Sequence, residues 1–122
     1  MRRELRLRGR KEFVDAFQRG RLWGNQLLVL RLLPNGLDHN RYGFVTSKRL
    51  GKAIVRNRVR RRLREGVRTL TTSISGGWDI VISARPAAAL ADYGELNRAV
   101  ASLLARASVL TADQAEGEGQ KR

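Results

Sequence analysis

Apolar residues recur at every fourth position through the most basic part of this chain, at Val55, Val59, Leu63 and Val67. At about 100° per residue these side chains form one stripe, which is typical of a helix docked on a core. A disordered basic tail has no reason to keep such a period, so the spacing predicts a folded helix. We expect the helix to open near Ser47 or at the turn of Gly51, and Gly66 with residues 69–72 to weaken and end it.

Residues 47–65, which include most of this helix, carry a dense positive charge that a polyanion would complement. Their single acid is Glu65, and their basic residues are Lys48, Arg49, Lys52, Arg56, Arg58, Arg60, Arg61, Arg62 and Arg64. The whole chain carries 25 basic and 11 acidic residues, a formal net charge of +14. Charge of this size indicates a nucleic acid or an anionic membrane surface as the partner, and it says nothing about the fold.

The helical period also sorts the polar side chains around the predicted helix. Four of them are expected to lie opposite the apolar stripe and point away from the core: Asn57, Arg61, Arg64 and Arg68. Arg56 and Arg60 fall near the edge of the stripe, where long side chains can lie along the rim of the packed surface. The helix therefore combines a docked face with a charged outer face.

Length and composition limit the possible domain organisation and cellular compartment of the protein. A chain of 122 residues predicts one domain with a modest core, which we expect to span residues 1–110. Residues 111–122 lack periodicity and are expected to form a disordered tail. The absence of cysteine excludes disulfides and the usual zinc sites. Without a membrane-spanning apolar segment or a secretory signal, the sequence predicts a cytoplasmic protein.

Alternating patterns along the chain predict an α+β fold. The expected elements are a helix at 11–19, strands at 26–33 and 41–46, the basic helix, a strand at 78–84 and a last helix with a capping box of Asp92 and Glu95. On the second strand, Tyr42 and Phe44 should share one face, with Gly43 and Val45 on the other. The order α-β-β-α-β-α suggests a two-layer α-β sandwich, with helices covering one face of one sheet.

The sequence lacks the residues that a self-sufficient protein nuclease needs. His39 is the only histidine and lies in a polar loop, where a solvated side chain is the plainer interpretation. The acids are scattered, without the close pairs that metal-assisted or acid–base chemistry requires. The glycines lie at turns and form no phosphate-binding loop. We therefore predict no catalytic residue and no metal site in this chain.

A specific motif runs through the basic helix. It consists of Ser47-Lys48-Arg49, Gly51-Lys52-Ala53-Ile54-Val55-Arg56-Asn57-Arg58, Arg60-Arg61 and Arg64-Glu65. At nearly every position this pattern resembles the signature of the protein subunit of bacterial ribonuclease P. Upstream, Arg6-Leu7-Arg8 with Phe13 and Phe17 resembles the N-terminal helix of that family, and residues 78–82 and 84–87 resemble its last strand and exit. The resemblance ends at about residue 111.

The resemblance implies a protein cofactor and not the chemical catalyst. In this family a catalytic RNA, using bound Mg²⁺, removes the 5′ leader of precursor tRNA, and the protein has no dedicated cofactor ligands of its own. The implied partners are that RNA and the leader, with neither membrane nor DNA expected. The implied fold has a left-handed β-α-β crossover around the basic helix, a rare handedness, and is similar to domain 2 of ribosomal protein S5. Contacts with the catalytic RNA are implied for Lys48, Arg49, Lys52, Arg56, Asn57, Arg58, Arg60, Arg61, Arg64 and Arg68.

The resemblance also implies a cleft between the N-terminal helix and the sheet that holds the single-stranded leader. The residues assigned to this cleft are Phe13, Phe17, Val29, Arg31 and Val45. Phe13 and Phe17 are one helical turn apart, so both rings can offer stacking surfaces to unpaired bases, although core packing would explain them equally well. The family often has an aromatic residue, commonly Tyr, where this chain has Arg31, which indicates a charge contact with the leader in place of base stacking.

Two other functions fit the residues taken alone. A ribosomal or general RNA-binding protein would show the same charge and the same α+β pattern. An amphipathic helix lying on a membrane surface would also be basic on one side. The short Val/Leu stripe and the absence of Trp or Phe from the helix argue against the membrane alternative.

Overall fold

The computed structural model describes residues 5–109. Its helices and strands are α1 (Arg10–Arg19), β1 (Arg21–Gly24), β2 (Leu28–Pro34), β3 (Arg41–Val45), α2 (Ala53–Leu70), β4 (Trp78–Ala84) and α3 (Tyr93–Arg106). Short 3-10 helices lie at Lys48–Leu50, Thr71–Ser73 and Pro86–Leu90. The prediction of a disordered tail at 111–122 concerns residues outside those described.

The four strands form one mixed sheet in the order β1-β2-β4-β3. β2 pairs antiparallel with β1 and β4, whereas β3 pairs parallel with β4. Parallel neighbours need a crossover connection, and α2 supplies it between β3 and β4. The unit β3-α2-β4 is the one for which the resemblance implies a left-handed crossover. Along the outer edge of β3, Leu7 donates its backbone N–H to the carbonyl of Tyr42 at 2.9 Å.

The main core lies between one face of the sheet and helices α2 and α3. Alternate strand residues fill it from the sheet side, with Leu28, Leu30, Leu32, Tyr42, Ile80 and Ile82 all buried. The predicted stripe on the basic helix is confirmed, since Val59, Leu63 and Val67 are buried and Val55 packs at the border. Each fully buried side chain of this kind contributes roughly 1.5–3 kcal/mol, which fixes the face that α2 turns to the core.

Helix α1 packs on the opposite face of the sheet. A second cluster of Leu7, Ala16 and Val81 lies there, with Phe13 and Val45 at its border. The predicted α+β class is confirmed, but the expectation that helices cover one face is wrong for α1. Strands β2 and β4 contain near-continuous apolar runs, which are typical of strands buried on both faces. The faces expected for β3 are confirmed, since Tyr42 belongs to the main core and Val45 to the second cluster.

The predicted order lacks one strand, the edge strand β1. Its four residues show no alternating apolar pattern and Leu22 is 58% exposed, so no sequence period marks it. Asn25 then forms the turn into β2, because its Oδ1 accepts the N–H groups of Leu27 and Leu28 at 3.0 and 2.9 Å. This turn explains why β2 begins at Leu28 and not at the predicted residue 26.

Two of the predicted helix ends have clear local causes. Glu12 accepts the N–H of Gly9 at 2.6 Å at the start of α1, and the helix ends before Gly20 as expected. The capping box predicted for α3 is confirmed, because Asp92 accepts the N–H of Glu95 at 2.8 Å and Glu95 accepts that of Asp92 at 3.0 Å. Both helices therefore satisfy N–H groups that their first turns would leave unpaired.

Helix α2 differs from the prediction at both ends. It begins at Ala53, after a separate 3-10 turn that Ser47 caps. It also continues without a break through Gly66 to Leu70. A Cβ at Gly66 would lie 2.4 Å from Oδ1 of Asn97 in α3, so this glycine permits a close helix–helix approach instead of weakening the helix.

Candidate RNA interface

The polar side chains of α2 lie in three rows along the helix. The outer row consists of Asn57, Arg61 and Arg68, which are exposed as predicted. Before the first turn, three further basic side chains are exposed: Lys48, Arg49 and Lys52. A large polyanion can therefore reach exposed polar and basic side chains from the 3-10 turn to the last turn of α2.

A second row faces the 3-10 turn at Pro86–Leu90. Arg58 donates from Nη2 to the carbonyl of Ala89 at 3.2 Å, and Arg62 donates from Nη1 to the carbonyl of Ala91 at 3.1 Å. Both arginines are half-buried. They connect α2 to the segment that leads into α3, so Arg58 has a structural contact besides its predicted role. Arg62, outside the predicted site, makes the equivalent contact.

The third row faces β3 and the N-terminal segment at Arg60 and Arg64. Arg56, Arg60 and Arg64 occupy successive turns of this row and are half-buried. Arg64 was expected on the outer face, but it lines a cavity beside β3 together with Arg60. Arg60 also donates a short hydrogen bond from Nη2 to Oδ1 of Asn57. The uncharged side chain at position 57 thus holds a guanidinium group of the next turn.

The surroundings of Arg64 disfavour the positive charge of its guanidinium group. Partial burial lowers its pKa, and the positive charges of Arg6 and Arg60 lower it further. Arginine keeps its proton far above neutral pH, so the side chain remains charged. An anion placed among these three groups would relieve their mutual repulsion.

At the C-terminal end of α2, Arg68 pairs with Glu65, the only acid of residues 47–65. Arg68 donates from Nε to Oε2 of Glu65 at 3.1 Å, and its Nη2 contacts Oε1. This hydrogen bonding lowers the pKa of Glu65 and raises the pKa of Arg68. Because the pair is nearly neutral, Arg68 offers a polyanion less charge than Arg61 does.

The five residues predicted for the leader cleft lie on the face of the sheet that α1 crosses. Val29 of β2 and Val45 of β3 are both paired with Ser83 of β4, one on each side. Arg31 occupies the neighbouring row beside Val81, and Phe13 and Val45 both pack against the second cluster between α1 and the sheet. The structure therefore brings these side chains together, and their contact with the leader stays a prediction.

The two aromatic residues of α1 have different surroundings. Phe13 is half-buried and lies so close to Gly43 that a Cβ at position 43 would be 2.5 Å from its ring. Phe17 is 44% exposed, and the guanidinium carbon of Arg31 lies 4.2 Å from the centre of its ring. Burial lowers the pKa of Arg31, which also contacts Oγ of Ser83 at 3.4 Å. Stacked cationic and aromatic surfaces of this kind suit unpaired bases and phosphates.

An ionic network joins α1 to the sheet beside this cleft. Arg41 donates from Nε and Nη2 to the two oxygens of Asp79, both at 2.8 Å, and from Nη1 to Oε1 of Glu12 at 2.9 Å. Asp79 is only 4% exposed and also accepts from Asn35 at 3.1 Å. The hydrogen bond to Asp79 is the main cause that raises the pKa of Arg41. Sequence reasoning missed this network, because its charged members are scattered along the chain.

Within residues 5–109, no group of three or more His, Cys, Asp or Glu side chains is placed to hold a metal ion. His39 lies beside Asp38, with its Nδ1 at 2.9 Å from Oδ1, and the hydrogen bond to His39 is the first cause that lowers the pKa of Asp38.

Among the helices of residues 5–109, none combines the length and the apolar character needed to cross a membrane.

The charge and shape of the molecule define a class of protein. A basic helix lies on one face of a small sheet, and a groove with aromatic and cationic side chains lies on the other. Structured RNA is bound through charge and shape, whereas single strands are bound through stacking surfaces and positive grooves. The chain therefore has the features of an RNA-binding α+β protein.

Comparison with known proteins narrows this class to one family. A family model described as Ribonuclease P matches residues 1–108. A ribonuclease P protein component of Roseiflexus sp. (strain RS-1) is 46% identical over 121 residues, covering 98% of this chain and 97% of that protein. A structure of the Staphylococcus aureus RNase P protein has a TM-score of 0.82 at 27% identity, covering 88% and 98% of the two chains. The Thermotoga maritima RNase P protein has a TM-score of 0.77 at 32% identity, covering 83% and 96%.

The chain belongs to the ribonuclease P protein family. Members of this family are the protein subunit of an endoribonuclease holoenzyme that processes the 5′ leader of tRNA. The resemblance noted from the motif around Asn57 is confirmed, and so is the function that it implied.

Proposed function

We propose that the basic face of α2 binds the catalytic RNA of ribonuclease P, and that the groove between α1 and the sheet binds the 5′ leader of precursor tRNA. In this proposal the RNA partner catalyses the hydrolysis and binds the Mg²⁺ that the reaction uses. The protein supplies charge and shape, and it works in the cytoplasm together with its RNA.

The placement of the two surfaces supports this division of roles. Helix α2 packs on the face of the sheet that carries Tyr42, and α1 packs on the face that carries Gly43. One small domain can therefore contact two RNA segments at the same time without competition between them. The α2 face offers mainly charge, which suits a folded phosphate backbone. The α1 groove adds the exposed Phe17 and its stacked Arg31, which suit a single strand.

Reconstitution with the cognate catalytic RNA and a precursor tRNA tests the proposal. At low Mg²⁺ the RNA alone should cleave slowly, and addition of the protein should restore cleavage at the mature 5′ end, because bound cationic side chains replace part of the ionic screening. The protein alone should release no leader. Cleavage by an RNA-free protein preparation, or no effect of the protein on the Mg²⁺ requirement, would contradict the proposal.

Arg61→Ala should weaken binding of the catalytic RNA and make it less dependent on salt. Each phosphate contact lowers log K by roughly 0.7–0.9 per unit of log salt, so loss of one exposed arginine should reduce the slope by about one such step. Filter binding across a salt series measures it. Arg98→Ala removes an exposed arginine from α3 and should leave the slope unchanged. Equal slopes for wild type and Arg61→Ala would place Arg61 outside the interface.

Phe17→Ala should weaken binding of precursor tRNA by about 1 kcal/mol, or roughly fivefold, and leave binding of mature tRNA nearly intact. The lower end of the range for base stacking is expected because Arg31 already covers one side of the ring. The measurement is the affinity of the reconstituted holoenzyme for each tRNA. Val14→Ala, which truncates another exposed residue of α1, serves as the control. Equal weakening of both tRNAs would contradict the cleft assignment.

A further inference from the structure

We propose that an exposed apolar patch at the start of α2 packs against the flat face of an unpaired nucleobase of RNA. The patch joins the first turn of α2 to the 3-10 turn after β4, and its members are Ala53, Ile54, Pro86, Ala87 and Leu90. The inference rests on the proposed function, since that function supplies the RNA. It goes further by assigning a contact without charge to an interface whose other proposed contacts on α2 are ionic.

The two large side chains of the apolar patch are unusually open to solvent. Leu90 is 94% exposed and Ile54 is 75% exposed, more than any other large hydrophobic side chain of residues 5–109. The three smaller members are exposed as well. Single exposed apolar residues are common on protein surfaces, whereas neighbouring ones with a polar rim are typical of interaction sites.

The two elements that carry the apolar patch are in contact. Arg58 lies one turn after Ile54 on the same side of α2, and its Nη2 donates to the carbonyl of Ala89 at 3.2 Å. Ala89 directly precedes Leu90. Both large side chains are therefore neighbours of the same arginine, which places them in one patch and not on separate surfaces.

The turn that carries Leu90 is anchored on both sides. Ala88 and Ala91 are buried, and Arg62 donates from Nη1 to the carbonyl of Ala91 at 3.1 Å. Pro86 restricts the backbone at the start of the turn. A surface that is already ordered loses little conformational entropy when a ligand binds, which favours docking on the apolar patch.

The charge around the apolar patch identifies RNA as its occupant. The 3-10 turn Lys48–Leu50 contacts the turn at Pro86–Leu90, and four basic residues flank the patch: Lys48, Arg49, Lys52 and Arg58. The acid that follows the patch, Asp92, caps α3, where the helix N-terminus offsets its charge.

RNA carries both of the surfaces that such a site needs. Its backbone is negative and its unpaired bases have flat apolar faces, so it complements a basic rim around an apolar centre. Leucine, isoleucine and proline are among the side chains that nucleic-acid-binding proteins place against unstacked bases. The patch also follows β4 closely, at the end of that strand where Ser83 lies between Val29 and Val45 of the leader cleft. Either the catalytic RNA or the leader can therefore supply the base.

The salt dependence of RNA binding tests the apolar patch. Leu90→Ser and Ile54→Ser should each weaken binding about fivefold, because the base loses an apolar contact, while the slope of log K against log salt stays that of wild type. Both positions are exposed, so melting temperatures should remain close to that of wild type. Leu90→Met keeps an apolar side chain of similar volume and should bind like wild type.

Leu37→Ser is the matched control. It removes another exposed leucine, beside Gly77 at the opposite end of β4, and should leave RNA binding unchanged. Weaker binding by Leu90→Ser with a smaller salt slope would indicate an ionic contact and overturn the inference. Equal weakening by Leu90→Met and Leu90→Ser would also overturn it, because an apolar contact tolerates methionine.

Two measurements identify the source of the base. If the catalytic RNA supplies it, Leu90→Ser should weaken filter binding of the protein to that RNA. If the leader supplies it, the variant should instead reduce the preference of the holoenzyme for precursor over mature tRNA. No change in both overturns the inference, and a change only in the sedimentation of the isolated protein would assign the patch to a protein partner. Should Arg61→Ala and Phe17→Ala show their expected effects while Leu90→Ser shows none, the patch is wrong and the proposed function stands.

Discussion

Arg41→Ala is expected to lower the free energy of unfolding by about 2–4 kcal/mol, since it leaves a buried carboxylate without its cationic partner. Asp79 is 4% exposed and receives two hydrogen bonds of 2.8 Å from this one guanidinium group. Removing one member of such a pair costs more than the pair contributes, because the remaining charge stays away from water. Partial exposure of Arg41 keeps the expected cost below that of a fully buried pair.

The same substitution should also disturb the leader cleft. Arg41 binds Oε1 of Glu12, while Oε2 of Glu12 accepts the N–H of Gly9 at the start of α1. The network therefore fixes the first turn of α1 on the sheet, one residue before Phe13. Without it, α1 loses this attachment. Binding of precursor tRNA by the holoenzyme should then weaken more than binding of mature tRNA.

Urea denaturation of the isolated protein, together with tRNA affinities of the holoenzyme, checks both effects. Arg98→Ala controls for the loss of one positive charge from a strongly basic chain, and it should change stability by less than about 0.5 kcal/mol. Arg41→Lys keeps the charge but lacks the fork that reaches both Asp79 and Glu12, so it should fall between wild type and Arg41→Ala. If Arg41→Ala were as stable as Arg98→Ala, the network would have no structural role.

Periodic and local features of this sequence are the ones that predicted structure correctly. The four-residue period from Val55 to Val67 predicted the docked face of α2, because a helix repeats its geometry and records it in the sequence. The pairing of Asp92 with Glu95 predicted the start of α3 because a cap is a local interaction. Edge strand β1 left no such trace, since it is short, exposed and held by its neighbour β2.

Sequence reasoning named candidate site residues but not their arrangement in space. Charge and motif gave the arginines of α2, but they could not distinguish Arg58, which binds the carbonyl of Ala89, from Arg61, which is exposed. That difference depends on where the turn at Pro86–Leu90 packs, a contact between parts of the chain far apart in sequence. The network of Arg41 has the same origin. Long-range contacts of this kind carry no local period.

Gly43→Ala is expected to lower the free energy of unfolding by about 1–3 kcal/mol and to displace the ring of Phe13 from its place between α1 and the sheet. A Cβ at position 43 would lie 2.5 Å from Cε1 and 2.7 Å from Cζ of Phe13, and 3.1 Å from Cδ1 of Leu7. The ring packs against the cluster of Ala16 and Val81, so its displacement disturbs those contacts. Its displacement should push α1 away from the sheet and weaken binding of precursor tRNA.

A double-mutant cycle with Phe13→Ala separates this clash from any other effect of the added methyl group. Once the ring is gone, Gly43→Ala should cost little, which gives a coupling energy of about 1–2 kcal/mol between the two positions. Gly94→Ala is the matched control, because the three atoms nearest to a Cβ there belong to the side chains of Arg98 and of the N-cap residue Asp92, at 3.3 Å or more. Alanine is also the better helix former, so Gly94→Ala should leave stability unchanged or raise it by up to about 1 kcal/mol. Additive costs in the cycle would mean that Phe13 is not what requires glycine at position 43.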